Sequence, residues 1–492
     1  MNGLFECKEG ALNMEVLFMV AGLFLLLIVV LLVRTVNFKP KTKLNQEKKH
    51  REYDYENAYK RFQKMIQIPT ISNRDSQQVD WKQFAKFEKL LQKEYPLIHK
   101  HCKKQKIDET GLLFRFQGKQ SADPTVLMAH YDVVPVGDES KWVKPPFSGA
   151  IEDGVLWGRG TIDTKITLFS AMEAIEYSLE KGIIPDNDIY LAFAGDEEVA
   201  GTGAPSIVQY FKDHDIHPKL VVDEGGAIVE SLFPGVIESI AVVGVGEKGP
   251  MDLSFYIEGR GGHASTPPKH TAVGELAAAI EKAENTPFKS DFNEPLLGLI
   301  DAVGRYSSFG LRFVFANLWL FKPVLVLLFG KMGGEVDAMM HTTQAFTMFE
   351  AGIQSNVLPP DAKAIANFRI EKKDTIASVI AHLRKAMNND SIKIEIIHGS
   401  EASPYSPTNN MYYEKVKQAI GETWSNTIVS PYLMVAASDA RHYHDLCEVV
   451  LRFSAMRLSK EQRGLIHNYN ERIELVMIQE CIQFYLNLVE KC

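Results

Sequence analysis

Apolar and polar positions change their spacing three times along the chain. Residues 16–33, VLFMVAGLFLLLIVVLLV, are uncharged and almost wholly apolar. As a helix rising 1.5 Å per residue this run is about 27 Å long, close to the thickness of a bilayer core, and it predicts a membrane helix. From about residue 52 the short apolar runs TVLMA, DIYLAFA and KLVVDE alternate with amphipathic stretches such as WKQFAKFEKLLQKEY. Strands alternating with helices predict an α/β domain with a mostly parallel sheet covered on both faces. Beyond residue 248 the order becomes strand MDLSFYIEG, helix AVGELAAAIEKAE, strands TTQAFTMFEAG and AKAIANFRI, helix IASVIAHLRKAM and strand IKIEII. That is β-α-β-β-α-β, a ferredoxin-like α+β unit.

The division that follows is an anchor with a basic linker over 1–51, the first part of the α/β domain over 52–247, a ferredoxin-like domain over 248–398, and the second part of the α/β domain over 399–492. Within the ferredoxin-like unit, residues 291–342 are an apolar insertion centred on LRFVFANLWLFKPVLVLLFG. Arg312, Asn317, Lys322 and Pro323 interrupt it too often for a comfortable membrane span. Three roles stay open for it: extra core or a dimer contact, a surface touching the membrane, and a wall of an apolar substrate pocket formed by side chains such as Trp319 and Phe321.

Ligands of open α/β sheets bind in the crevice beyond the carboxyl ends of the strands. Four such ends carry chemistry here. MAHYDVVPV offers His130 and Asp132, GRGTIDTK offers Asp163, AGDEEVAG offers Asp196, Glu197 and Glu198, and VVDEGG offers Asp223 and Glu224. His130 and Asp132, two positions apart, face one side of an extended segment. Adjacent carboxylates repel and raise one another's pKa unless a cation or proton is shared, so clusters in a crevice point to metal binding or acid–base work. A solvated loop accounts for any one cluster alone, but less well for four on one sheet.

Charge and composition narrow the classes. A net charge of −8 and a pI near 6.0 leave no broad basic surface, which excludes a nucleic-acid partner. Cys7, Cys102, Cys447, Cys481 and Cys492 lack C-x-x-C spacing, so neither a disulfide framework nor a thiolate zinc site is indicated. No small-x-small cleavage site follows the apolar run, which favours an uncleaved single-pass anchor in the lipid bilayer over a removed signal. Arg34, Lys39, Lys41, Lys43, Lys48, Lys49 and Arg51 follow that run and Glu6, Glu9 and Glu15 precede it. The positive-inside rule then leaves the large domain in the cytoplasm.

Seven ordered motifs, those four together with GRGGHAS, SDARHY and IHNYNERI, resemble metallopeptidase family 20, and within it the branch of carboxypeptidase S and the N-fatty-acyl-amino-acid synthase/hydrolase. The resemblance covers nearly all of the chain after residue 50. It implies a zinc-peptidase α/β/α catalytic domain with the ferredoxin-like unit as a lid, a homodimer contact through that lid, and two zinc ions per subunit. By the same resemblance His130 and Asp223 hold one ion, Glu198 and His467 the other, and Asp163 bridges them. Glu197 is implied as general base and Asp132 as the partner that orients the His130 ring. His263 would stabilise the oxyanion, and Asn356 and Arg369 would hold substrate. Arg441 in SDARHY suits a substrate carboxylate. Imidazole and carboxylate ligands together suit zinc, and two neighbouring ions can lower the pKa of a shared water. One departure is Asn468, where the family has glycine after its last histidine. The relatives work in a vacuole or outside the cell, against the charge rule, so the side of the membrane stays open.

Other clusters carry less. His214, Asp215 and His217 in FKDHDIHPKL precede a strand and belong to the opposite edge of the sheet; His99, His101 and Cys102 sit in a Lys-rich segment. GVGEKG fits a phosphate-loop pattern but is followed by a strand where that motif needs a helix, which makes it a domain hinge. The expected function is a membrane-anchored two-zinc hydrolase of peptides or N-acyl-amino acids with a free carboxylate next to the scissile amide. Two alternatives are a membrane-tethered binding protein with a degenerate metal site and a nucleotide-dependent enzyme using GVGEKG.

Overall fold

The computed structural model describes residues 3–41, 46–230 and 236–492, with side chains from residue 16 onward. Lys43 and the side chains of Glu6, Cys7, Glu9 and Glu15 therefore lie outside the described residues. A helix over Gly3–Asn37 contains the apolar run. Its segment Val16–Asn37 has mean hydropathy 3.4 and is almost wholly exposed. Length and composition fit a membrane anchor or a signal sequence.

Eight strands form the main sheet, in the spatial order Lys103–Ile107, Gly111–Phe116, Asn187–Ala194, Gln120–His130, Leu220–Val229, Val450–Arg457, Ser239–Glu247 and Thr427–Met434. The central strands pair in parallel, and every residue of Asn187–Ala194 is buried, as expected where helices cover both faces. The sheet is nonetheless mixed. Gly111–Phe116 runs antiparallel to both of its neighbours, Lys103–Ile107 and Asn187–Ala194; a short turn at Asp108 joins it to the first, and so short a link permits no crossover. Ser239–Glu247 also meets Leu220–Val229 antiparallel. One face is covered by the Lys165–Glu180 helix, which packs between the sheet and the C-terminal Leu475–Val489 helix and is therefore buried nearly all round.

A second, antiparallel sheet has the order Thr343–Glu350, Asp361–Ile370, Gly249–Glu258, Lys393–Gly399, with the Ala272–Glu284 and Ile376–Met387 helices packed on it. Two adjacent crossings join it to the main sheet. Lys248 separates Ser239–Glu247 from Gly249–Glu258, and the return segment lies beside it, with Ser400 N donating to Pro250 O at 2.9 Å and Ser403 N to Glu247 O at 3.1 Å. A Cβ on Gly249 would stand 2.2 Å from Ser400 O, so only glycine permits this approach. GVGEKG is thus the end of one strand and the start of the next, with no helix after it.

The apolar insertion packs mostly on the main sheet. Leu296, Leu299, Ile300 and Val303 of the Glu294–Gly304 helix join one core with Ile240, Val242, Ile428, Tyr432 and Leu433. The Phe309–Ala316 helix meets the N-terminal helix, and the Leu318–Met332 helix follows after a bend of 107°. Trp319 points outward.

At the sheet's centre Arg452 is fully buried, with Nε 2.9 Å from Glu247 Oε2, and that same oxygen accepts from Ser438 N and Oγ. Removing one member of a buried ion pair strands the other charge. Arg452→Met is expected to lower unfolding free energy by about 3–5 kcal/mol, measured by chemical denaturation; a loss under about 1 kcal/mol would show that Glu247 is relieved by protonation or water.

Candidate metal centre

The parallel strands end together, and their last residues meet. Strand Gln120–His130 is apolar and buried from Thr125 onward, and it delivers the His130 ring, 2% exposed, into the crevice. His130 Nδ1 lies 3.1 Å from Asp132 O and 3.3 Å from Asp132 Oδ1, while Nε2 lies 3.1 Å from Asp163 Oδ1 and 3.3 Å from Glu224 Oε1. Asp132 carboxylate oxygens also accept from the backbone N–H groups of Glu197 and Glu198, each at 3.2 Å. One buried aspartate therefore sets both the imidazole and the turn that carries the two glutamates.

His467 closes the site from a distant part of the chain. Its backbone is left-handed, φ 58°, so the side chain turns back to the cluster, with Nε2 2.9 Å from Asp163 Oδ2 and 3.0 Å from Glu198 Oε2. Asp163 thus lies between the histidines, one oxygen toward each. Ligand atoms of His130, Asp163 and Glu198 fall within 4.8 Å of one another, and so do those of His130, Glu197 and Glu224.

A further carboxylate joins the expected set. Asp223 lines the cavity beside His130, and its carboxylate accepts from Glu224 N and Ala440 N, both at 2.9 Å, so that it also tethers the SDARHY turn. Glu224 makes the nearer approach to the ring, with Oε1 3.3 Å from His130 Nε2. The ladder with Gln120–His130 ends at the Leu127–Val222 pair, whereas on the other side Asp223 still pairs with Arg452, and the longer glutamate reaches His130 Nε2.

Electrostatics mark the cluster as built for cations. Burial pushes Glu197 well above the usual carboxylate range, and Asp439, Glu224 and Glu198 push in the same direction. Burial raises Glu198 to about 7. His467 rises to about 10 through its bonds to Asp163 and Glu198. Burial opposes a charge on His130, yet Glu224, Asp132 and Asp163 hold its proton and raise its pKa. Imidazoles held as cations by carboxylates are competent ligands once a metal displaces those protons, and this mixed N/O donor set suits a borderline divalent ion such as zinc.

One carboxylate that no expected role covers holds the frame. Glu471, in the IHNYNERI motif, is fully buried and accepts from Arg159 Nη1 at 2.7 Å and from the N–H groups of Gly160, Ile162 and Asp163. It shapes the loop that presents Asp163. Asp439 is buried, and its pKa is raised by burial and by Asp223. The signal for Glu471 was its place in a run of polar residues four positions after His467; nothing in sequence tied it to the GRGTIDTK loop.

The remaining candidates lie elsewhere. His263 and Asn356 are exposed beside the small Gly262–His263 and Val357–Leu358 ladder of the second unit, and His263 Nδ1 accepts from Ser265 N; neither bonds to the cluster. Arg369 is half-buried on the second sheet. Burial lowers its pKa, Asp252 opposes this, and Arg441 lowers it further. Arg441 Nε is buried without a hydrogen-bond partner among the described residues. His217 pairs with Asp215 on the exposed surface before the Leu220–Val229 strand, and His99 Nδ1 bonds Tyr95 O. The cavity beside His130 is lined by residues including Ala129, Glu197, Asp223, Asp439 and Tyr443, and among the described residues by none from 291–342, so the insertion does not form a pocket wall there.

Imidazoles and carboxylates gathered at the strand ends of an α/β sheet, with a second sheet hinged beside them, define a metallohydrolase of the peptidase class. The chain belongs to peptidase family M20/M25/M40, whose model matches residues 126–491. It is 36% identical over 437 residues to probable carboxypeptidase S-like 2 of Dictyostelium discoideum, covering 87% of this chain and 84% of that one. It is 32% identical to the N-fatty-acyl-amino acid synthase/hydrolase PM20D1 of Xenopus tropicalis, covering 86% and 84%. The M20 metallo-carboxypeptidase Sso-CP2 of Sulfolobus solfataricus has the same fold, with a TM-score of 0.65 at 17% identity, covering 89% of this chain and 99% of that one. The protein is an enzyme of this metal-dependent family.

Glu471→Ala would leave three loop N–H groups and Arg159 without their acceptor. The expected loss is about 2 kcal/mol or more of stability, with faster hydrogen exchange at Gly160, Ile162 and Asp163. Unchanged exchange there would remove Glu471 from its positioning role.

Proposed function

We propose that the protein is a membrane-anchored, two-zinc amidohydrolase that cleaves peptides or N-acyl-amino acids next to a free carboxylate. The observation that carries this is Asp163, which offers one oxygen on the His130 side and the other on the His467 side. A carboxylate so placed is suited to bridge two cations. His130 and Glu224 would hold one, with Asp132 orienting the ring, and Glu198 and His467 the other. The bound ions would polarise the scissile carbonyl and favour ionisation of water.

Glu197 is half-buried in the same cluster and makes no ion pair with either histidine within 4 Å among the described residues. Its burial-raised pKa suits a general base that takes a proton from the attacking water and returns it to the leaving nitrogen. Arg441 and Arg369 would receive the substrate carboxylate. Asp439 feels both Glu197 and Arg441, which connects the cation pair to the cluster, and an anion would relieve the repulsion between the two guanidiniums. His263 and Asn356 would join the site if the second unit closes about Lys248, and that unit would also offer the homodimer contact. The complete donor set argues against a degenerate binding protein.

Glu197→Gln should retain both metal ions by elemental analysis yet lose roughly two to four orders of magnitude in kcat. Loss of metal would instead make Glu197 a ligand. Glu224→Ala and His467→Ala are expected to lose metal, while Asp223→Asn keeps it and loses stability; the reverse pattern would restore Asp223 as the ligand. Turnover on a panel of dipeptides, acetyl-amino acids and long-chain acyl-amino acids fixes the substrate class, and no turnover of any amide by the two-zinc protein would overturn the reading.

A further inference from the structure

The outward stripe of the Leu318–Met332 helix is unusual for a surface helix. Trp319, Leu320, Val324, Leu327, Leu328 and Met332 are all exposed, at spacings that place most of them on one side. The polar residues that argued against a membrane location are mostly turned away. Lys322 Nζ lies 2.7 Å from Asp291 Oδ1, Arg312 donates to Ser307 O, and Asn317 is fully buried. Lys331 alone among the charged residues of this helix is exposed, and it lies in the last turn.

The bend before this helix is fixed to the N-terminal helix. Asn317 Nδ2 donates to Leu31 O at 3.2 Å and lies 3.3 Å from Thr35 Oγ1, and Arg34 Nε donates to Ala316 O at 3.1 Å. Leu31 and Thr35 are buried by this contact, whereas nearly all the rest of the apolar run is bare. The corner between Phe309–Ala316 and Leu318–Met332 therefore sits at the depth of the run's last turns. At 1.5 Å per residue the second helix is about 22 Å long, too short to cross a bilayer core, and the 107° bend prevents the pair from acting as one straight span.

We propose that residues 309–332 form a second, monotopic attachment to the same membrane, lying in its interface beside the N-terminal helix with the Trp319 to Met332 stripe against the acyl chains. The proposal rests on the N-terminal helix being an anchor. The membrane is favoured over a second copy of the chain as occupant because the stripe is continuous with that helix. A helix with a broad apolar face, Lys322 turned to Asp291 and Lys331 confined to the last turn, where its long stem can carry the charge to the headgroups, is the form that lies in a bilayer interface. The domain would then be held at two points, which fixes its orientation to the membrane.

The test uses the full chain in phosphatidylcholine nanodiscs, with single cysteines carrying a bimane label in a Cys7→Ser background, since Cys102, Cys447, Cys481 and Cys492 are buried. Phe24→Cys reports on the anchor, Val324→Cys and Leu327→Cys on the stripe, and Val143→Cys on an apolar position of similar exposure in the main domain; these side chains are 63%, 64%, 61% and 67% exposed. Doxyl-labelled lipid is expected to quench Phe24, Val324 and Leu327 by about two-fold or more over Val143. Quenching at Phe24 alone would overturn the attachment, as would stripe labels shielded from both doxyl lipid and iodide, the result for a protein–protein contact. No quenching at Phe24 would overturn the anchor itself.

Discussion

The structure is organised around an excess of buried negative charge. Asp163, Glu197, Glu198 and Glu224 converge on two imidazoles, and burial raises the pKa of all three glutamates. Such a cluster is costly unless protons or cations fill it. The strand ends gather it, while the bonds at its edge keep it from relaxing into solvent: Asp132 spans His130 and the Glu197 turn, and Glu471 clamps the loop before Asp163. Preorganisation of this kind exacts a stability cost, which the extensive apolar core under the sheet offsets.

The carboxylates divide into two groups by what they touch. Asp223 and Glu471 accept backbone N–H groups and so build turns; Asp163, Glu198 and Glu224 face imidazole nitrogens; Asp132 does both. Composition gives the same residue types to both groups. The distinction comes from whether the peptide N–H groups of a neighbouring turn are within reach, a tertiary property.

The alternation of strands and helices, the strand that follows GVGEKG and the order of the second sheet were legible because each depends on local period and turn chemistry. His130, Asp163, Glu198 and His467 were placed by motif resemblance, and the structure brings them together. Asp223 and Glu224 were not separable, because they are adjacent acids at one strand end and only their tertiary contacts distinguish them. The antiparallel edge was missed because the tight turn at Asp108 lies in a segment with weak alternation. The insertion was the least legible: its apolar residues fit a core, a pocket or a membrane surface equally well, and only its contacts with the main sheet and the N-terminal helix distinguish these.

The two arginines give the hinge a place in the proposed reaction. Arg369 pairs in register with Pro250, immediately beyond Lys248, so it rides on the second unit at its point of attachment. Arg441 belongs to the turn that Asp223 and Glu247 hold to the main sheet. A substrate carboxylate gripped by both would bind each unit at the crossing itself, where a small rotation changes their separation least. The recognition pair can then remain nearly constant while the exposed His263 ladder, at the far end of the strands, sweeps the largest arc. On the proposed reading, the carboxylate defines where the substrate sits and closure supplies what the amide needs, which makes a free carboxylate beside the scissile bond a requirement of the architecture and leaves the acyl side comparatively unconstrained.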